Sequence, residues 1–356
     1  MSPLPRTLPL STVAHPDRRV VTAPRKGVPA PWVVLATGVV VLVSVCLVSL
    51  FVGSGDIPPS AVIDALRNDG ASTTDLLVRD FRVPRTLLAV LAGLALAMAG
   101  VLMQALTRNP LADPGLLGVN AGAYFAIVIG TAFFGATISS GQMIWGMAGA
   151  GISAAVVYLI GSTGLAAGTP VKLVLAGVAV GAVLSGVAQA ITLAQPDVFD
   201  RLRFWSVGSL QGRQMDTVES VWLVIVGAAF VGALLARSLN ALTLGDDVAR
   251  ALGAPVVLLR ALGFACITAL CGATTAAVGP ISFVGLAVPF AARFTVGVDH
   301  RWIIAFCLVA GPVLVLVADV AGRVLVPSEL PAGVVTAFVG APVLIALVRR
   351  STLRSL

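Results

Sequence analysis

Asp319 and Arg323 stand four positions apart near the end of a long apolar run. On a helix that spacing places a carboxylate and a guanidinium on one face, where they form an ion pair. A carboxylate within a membrane can also relay protons. A relay built from a single residue is disfavoured, so the expected role is a local pair that lets both side chains reach the interface. The lysines are Lys26, preceded by Arg25, and Lys172, preceded by Val171. A P-loop needs Gly-Lys to set an ammonium on the phosphates, so this chain is not expected to hydrolyse ATP or to carry a cofactor. Cys46, Cys266, Cys271 and Cys307 lie in apolar runs without a C-x-x-C pair, which reads as small apolar packing rather than a disulfide or a metal site. His15 and His300 are expected to be solvated. No nucleophile–base constellation supports a membrane enzyme.

The elements that must hold these groups follow from composition. The chain has 356 residues, 58% hydrophobic and 11% charged, where soluble domains carry roughly 25% charged residues. That balance excludes a soluble enzyme, a disordered chain and a nucleic-acid-binding module, and it makes membrane lipid the main solvent. A helix crossing the bilayer needs about 20 apolar residues. Ten such runs are read at Pro31–Val52, Thr86–Leu106, Leu116–Phe134, Met143–Gly161, Lys172–Ala194, Thr217–Arg237, Leu259–Val278, Ile281–Val298, Trp302–Gly322 and Gly333–Val348. The expected class is an all-α polytopic membrane protein of about ten transmembrane helices. Residues 1–30 form a basic, Pro-rich tail, 31–350 the transmembrane domain and 351–356 a second tail. An even number of spans puts both termini on one side. With the termini cytoplasmic, 15 of the 23 basic residues fall inside, as the positive-inside rule requires.

The outer segment Gly53–Arg85 is expected to hold a short helix from Pro58–Pro59 through Leu66, with Asp56 or Ser60 as cap. Gln195–Asp216, with Phe204 and Trp205, is expected to hold a short interfacial helix. Gly118-x-x-x-Gly122 and Gly177-x-x-x-Gly181, followed by Ser185, allow close backbone approach; helix packing is the preferred reading over a dimer seam or a pore lining. Stretches from Arg85 and from Arg260 share a rhythm of Arg, small-residue helix and Pro-Gly break, a weak sign of internal duplication. Almost no ionisable group lies at mid-membrane, which argues against a proton-driven carrier.

Longer motifs carry a resemblance. They are Arg82-Val-Pro-Arg-Thr-Leu-Leu, the run from Leu102 to Ala123 that contains Asn109-Pro-Leu-Ala-Asp-Pro-Gly, Leu244-Gly-Asp-Asp-Val-Ala-Arg-Ala-Leu-Gly253, Gly279-Pro-Ile-Ser-Phe-Val-Gly-Leu-Ala-Val-Pro289 and Glu329-Leu-Pro-Ala-Gly. In order, over residues 35–350, these resemble the FecCD family, permease subunits of type II ABC importers for ferric siderophores, haem and cobalamin.

The resemblance implies a second permease subunit, identical or related, two cytoplasmic ABC ATPases that use the ATP, and an external substrate-binding protein that delivers cargo. It implies that Arg82, Arg85 and Arg323 dock acidic residues of the binding protein, a task suited to the planar guanidinium fork. It matches residues 244–253 to a cytoplasmic coupling helix against an ATPase. There Asp246 is expected as cap, Gly253 as stop, and Val248, Ala249 and Leu252 as one apolar face. Asn109, Pro110, Asp113 and Pro114 are expected to form a structural turn or gate, with Asn109 and Asp113 satisfying backbone donors. Family members often have His where this chain has Phe290. An iron–siderophore complex is the expected cargo, with cobalamin or haem as alternatives. A stand-alone secondary transporter or channel is the alternative of another class.

Overall fold

The computed structural model describes residues 30–53, 57–67, 72–135, 140–163, 170–326 and 328–352. Most of both expected tails, His15 and Asp56 lie outside the described residues. Fifteen α-helices are described: α1 (Pro31–Phe51), α2 (Pro59–Arg67), α3 (Thr73–Leu76), α4 (Val83–Thr107), α5 (Val119–Phe134), α6 (Ser140–Ser162), α7 (Pro170–Ala194), α8 (Pro196–Leu202), α9 (Met215–Leu234), α10 (Ala236–Leu242), α11 (Asp246–Ala251), α12 (Val256–Val278), α13 (Val284–Thr295), α14 (His300–Leu325) and α15 (Ala332–Thr352). Seven apolar helical stretches are long enough to cross a membrane, and Val119–Phe134, Val284–Thr295 and Ala332–Ala346 are shorter apolar helices.

Most runs read from the sequence appear within a few residues of their expected ends. Two differ. The second run begins earlier, because α3 passes through a π-helical turn at Leu77–Arg82 into α4 and makes one helical stretch, Thr73–Thr107. The eighth, read as Ile281–Val298, is only the 12-residue α13. Such a helix rises about 18 Å, short of the ~30 Å hydrocarbon core. The chain before it is turned out of the helix by two residues of positive φ. Gly279 has φ 79° and Phe283 φ 69°, and a Cβ at Gly279 would collide with the Trp205 carbonyl. The expected short helices at Pro59 and after Gln195 are α2 and α8.

α4 is the axis of the bundle, with 78% of its apolar window buried. Its Ala- and Gly-rich sequence permits this. Gly93 meets the backbone of Gly311 in α14, and Gly100 meets Gly285 in α13, so tightly that any Cβ would strike backbone. Small residues at such crossings let dispersion contacts and polarised Cα–H groups bind helices in lipid, where no hydrophobic drive exists between them. Gly122 of α5 likewise lies against Gly149 and Ser153 of α6. α1 is peripheral, with 6% of its window buried, and lies along α14 where Gly38 faces Val309. Cys266, Cys271 and Cys307 are buried, Cys46 is half-buried, and all four thiols are free.

The bundle has two ends. α1 finishes, α4 starts, α12 and α14 finish and α15 starts at one, termed the upper end. α4 finishes and α10, α11 and the starts of α12 and α14 gather at the lower end.

Candidate functional site

At the upper end the chain must terminate α1, whose last carbonyls lack intrahelical donors and carry the negative end of the helix dipole. Two arginines do this. Arg82 donates to the carbonyls of Leu50 and Phe51 at 3.0 and 3.1 Å. Arg323 donates to those of Ser49 and Val52 at 2.8 and 2.9 Å. Ser49 also bonds Thr86 through the hydroxyls, at 2.8 Å.

Asp319 is the hub. Arg85 grips it with Nε and Nη2 at 2.9–3.1 Å, and Arg323 Nε donates to Oδ2 at 3.0 Å. The ion pair expected at i,i+4 is present, but its expected route to the interface is not: the Asp319 side chain is 1% exposed. Helix α4 supplies a second cation, and two guanidiniums offset what burial of one carboxylate costs. Arg85 Nη1 then reaches Glu329 at 2.8 Å. The structure therefore brings Arg82, Arg85 and Arg323 together, each engaged within the chain. They border an upper-end cleft of about 280 Å³ with Gln211 and Glu329.

Two residues of this end escaped the sequence reading. In the sequence Glu329 stands only as part of a motif, and its one local signal is an acid six positions after Arg323. Arg213 is buried, and its Nε has no hydrogen-bond partner. Burial lowers its guanidinium to about 10.

A larger groove of about 630 Å³ runs beside α5 and α7 up to α8. Asn120, Tyr124, Ser185, Gln189 and Thr192 give it neutral polar groups along α5 and α7, Arg203 adds a cation beside α8, and Trp205 stacks on Tyr124 with centroids 5.8 Å apart. Asn120 Oδ1 accepts from the Thr275 hydroxyl at 2.8 Å. The Gly177–Gly181–Ser185 stripe packs and lines at once: a Cβ at Gly118 would come 3.2 Å from the Gly177 carbonyl, while Gly177, Gly181 and Ser185 face the groove. Hydroxyls and amides without a fixed charge can solvate a polar solute in passing without holding it.

The turn before α5 is built as its residue types require. Asn109 Oδ1 accepts from the Leu111 amide at 2.9 Å, and Asp113 Oδ1 from the Gly115 amide at 2.8 Å. Burial raises the Asp113 carboxyl, against the pull of that single N–H. Arg108, before Asn109 and Pro110, takes the left-handed conformation with φ 51°. Pro114 lies where a Cβ at Gly285 would touch it, so the turn wedges against the start of α13.

The lower end corrects two details of the coupling segment. Gly245, φ 104°, occupies the N-cap position and no side chain caps the helix. Asp246 instead bridges Arg108 at 3.2 Å and Arg260 at 2.9 Å, fastening α11 to the end of α4 and the start of α12. Ala249 does not share the outer face: it is fully buried, whereas Leu244, Val248 and Leu252 are 61%, 46% and 65% exposed. Gly253, φ 80°, ends the helix as expected.

His300, expected in solvent, is 4% exposed, and its Nδ1 lies 2.7 Å from Asn240 Oδ1. Asp299 caps α14 through the Arg301 amide at 2.9 Å and accepts from Asn240 Nδ2 at 2.8 Å. The Asn240 bond, then the amide bond, lower its carboxyl. Phe290 packs on Phe294, centroids 5.2 Å apart.

A polytopic bundle around one buried helix, a polar groove and a short helix braced at one end define a membrane permease. The FecCD transport family matches residues 40–350, and the chain belongs to it. It is 50% identical to the ferric enterobactin transport system permease protein FepD of Escherichia coli (strain K12), over 87% of this chain and 93% of that one. It is 38% identical to the iron(3+)-hydroxamate import system permease protein FhuB of Bacillus subtilis (strain 168), over 89% and 83%. A solved structure described as an inward-facing metal-chelate type ABC transporter aligns with TM-score 0.78 and 25% identity, over 89% of this chain and 99% of that one. The chain is thus the permease subunit of an ABC importer, and the alternative of a stand-alone carrier or channel is set aside. Nucleotide hydrolysis belongs to a separate subunit.

Proposed function

We propose that the chain forms half of a translocation pathway for an iron–siderophore complex, with a second permease subunit completing it along the α5–α7 groove. The 50% identity to a ferric enterobactin permease carries the choice of cargo. The groove's lining along α5 and α7, polar but uncharged, suits a large chelate that must not be retained, and among the described residues Arg203 beside α8 supplies the one charge. Ten crossings result if the three shorter apolar helices join the seven long ones. α1 rises to Ser49 at the upper end and α15 descends from it, which supports both termini emerging beside α11, on the cytoplasmic side. Each half pairs a long helix with a short one entered through a break, α4 with α5 and α12 with α13, which supports an internal duplication.

In this reading the upper end faces outward, and the cleft of Arg82, Arg85 and Arg323 receives the substrate-binding protein. The lower end meets one of two cytoplasmic ATPases, with Leu244, Val248 and Leu252 entering a groove on it. Asp246, Ala249 and Gly253 fix that segment in place, and the turn of Asn109, Pro110, Asp113 and Pro114 links it through Arg108 to the pathway. The test is uptake into vesicles holding permease, ATPase and binding protein, with labelled ferric siderophore, haem and cobalamin as separate arms. ATP-dependent uptake of the siderophore is expected; uptake of haem or cobalamin alone reassigns the cargo.

A further inference from the structure

The upper cleft is already occupied by a carboxylate of the chain itself. Its arginines differ in what they have left to give. Arg323 spends Nε, Nη1 and Nη2 on Asp319, Ser49 and Val52. Arg85 spends Nε and Nη2 on Asp319, whose position on α14 is fixed and whose side chain is buried. Its remaining nitrogen, Nη1, goes to Glu329. Glu329 does not sit on a helix. It lies in the connection from α14 to α15 with φ 53°, in the left-handed region that a side chain bearing a Cβ adopts reluctantly. Leu330 anchors that connection by donating to the Gly322 carbonyl at 2.9 Å. The Glu329 side chain can therefore leave by rotating about its own bonds while the backbone stays. Three arginines and one carboxylate line the cleft. On Arg85 itself, Asp319 stays in place from behind and Glu329 is the carboxylate that can swing out. The vacated position fits one carboxylate.

We propose that Glu329 is a resident stand-in for an acidic side chain of the external binding protein, and that docking exchanges one carboxylate for the other on Arg85. The proposal rests on the docking reading above and adds to it an internal competitor, so that the free permease hides its strongest contact until a partner supplies a matching group. Exchange keeps the guanidinium paired throughout, avoiding the cost of an uncompensated buried charge.

The test uses the assembled permease–ATPase complex in lipid nanodiscs and the cognate binding protein, with affinity measured at fixed ionic strength. Glu329→Gln and Glu329→Asn both remove the competing charge, and Asn tolerates the left-handed backbone. Each variant should bind the partner about two- to tenfold more tightly, the worth of an ion pair that no longer has to be broken. Adding Arg85→Gln should abolish the gain. If both Glu329 variants bind equally or more weakly while Arg85→Gln alone weakens docking, the docking surface stands and the exchange is refuted. If Arg85→Gln alone also leaves affinity unchanged, the docking reading itself falls and the exchange with it.

Discussion

Arg85 and Asp319, 234 positions apart in the chain, are joined by three hydrogen bonds of 2.9–3.1 Å in the upper part of the bundle. The pair welds α4 to α14 and, through Arg323, both to the end of α1. Asp319→Asn would leave two guanidiniums facing a neutral amide. Removing one partner of a buried ion pair costs about 3–5 kcal/mol. The expected result is a large drop in the thermal unfolding midpoint of the purified protein, with α1 the first helix to become accessible to protease. An unchanged midpoint would show that the cluster contributes nothing to the fold.

Gly100 and Gly285 meet backbone to backbone where α13 begins. Gly100→Val must push α13 off α4. Overpacking of this kind typically costs about 1–3 kcal/mol, and here the obstacle is main chain, which yields less than a side chain. Gly151, with open space around it, is the matched control: Gly151→Val should change stability by no more than about 0.5 kcal/mol, the scale of helix-propensity differences. Comparing the two by fluorescence-monitored unfolding separates a contact requirement from a general intolerance of glycine replacement.

Leu244, Val248 and Leu252 form an exposed stripe at i, i+4 and i+8. Replacing Val248 and Leu252 by Glu should leave the fold intact, since neither side chain is buried. In the assembled importer, ATP hydrolysis should persist while uptake falls at least tenfold. Ala249→Glu should instead destabilise the permease, because Ala249 is fully buried. Normal uptake by the Val248/Leu252 variant would return this segment to a plain connection.

The Asp299 carboxyl is held below its usual range by Asn240 and the Arg301 amide. A lowered native value stabilises the fold at pH above the unfolded carboxylate value of about 3.9, and that contribution is lost as pH falls through the native value. Asp299→Asn keeps a capping oxygen but not the charge. Its stability should therefore be flatter with pH through the acid range than that of the parent, measured as the shift in unfolding midpoint. Asp299→Ala should lose about 1 kcal/mol, a typical cap contribution.

Much of the architecture was legible because lipid imposes a simple rule: long apolar runs become helices, and their lengths are bounded by the bilayer. α1, α6, α7 and α12 lie close to where hydropathy puts them. The rule fails where backbone geometry intervenes. Hydropathy counts Ile281 and Phe283 as membrane residues but does not register that Gly279 and Phe283 adopt positive φ and keep the chain out of the helix before α13. Asp319 with Arg323 was visible as a local pair, yet Arg85 completes it from 234 residues away, and no short-range pattern reports that. The Gly-Asp pair at 245–246 signals a cap at Asp246, but Gly245 takes that position and the carboxylate serves Arg108 and Arg260. The i, i+1, i+4 spacing groups Ala249 with Val248 and Leu252, and only packing distinguishes the inner side of so short a helix from the outer one. His300 looked solvated as a polar residue in a loop, until Asn240 supplied it a partner.

The most direct test of the whole account is uptake by proteoliposomes of defined composition. Vesicles carrying this chain with its ATPase partner and binding protein should accumulate labelled ferric siderophore only when ATP is present, and vesicles carrying this chain alone should accumulate none under an imposed proton or sodium gradient. Accumulation by the chain alone under an ion gradient would contradict its role as an importer subunit driven by ATP.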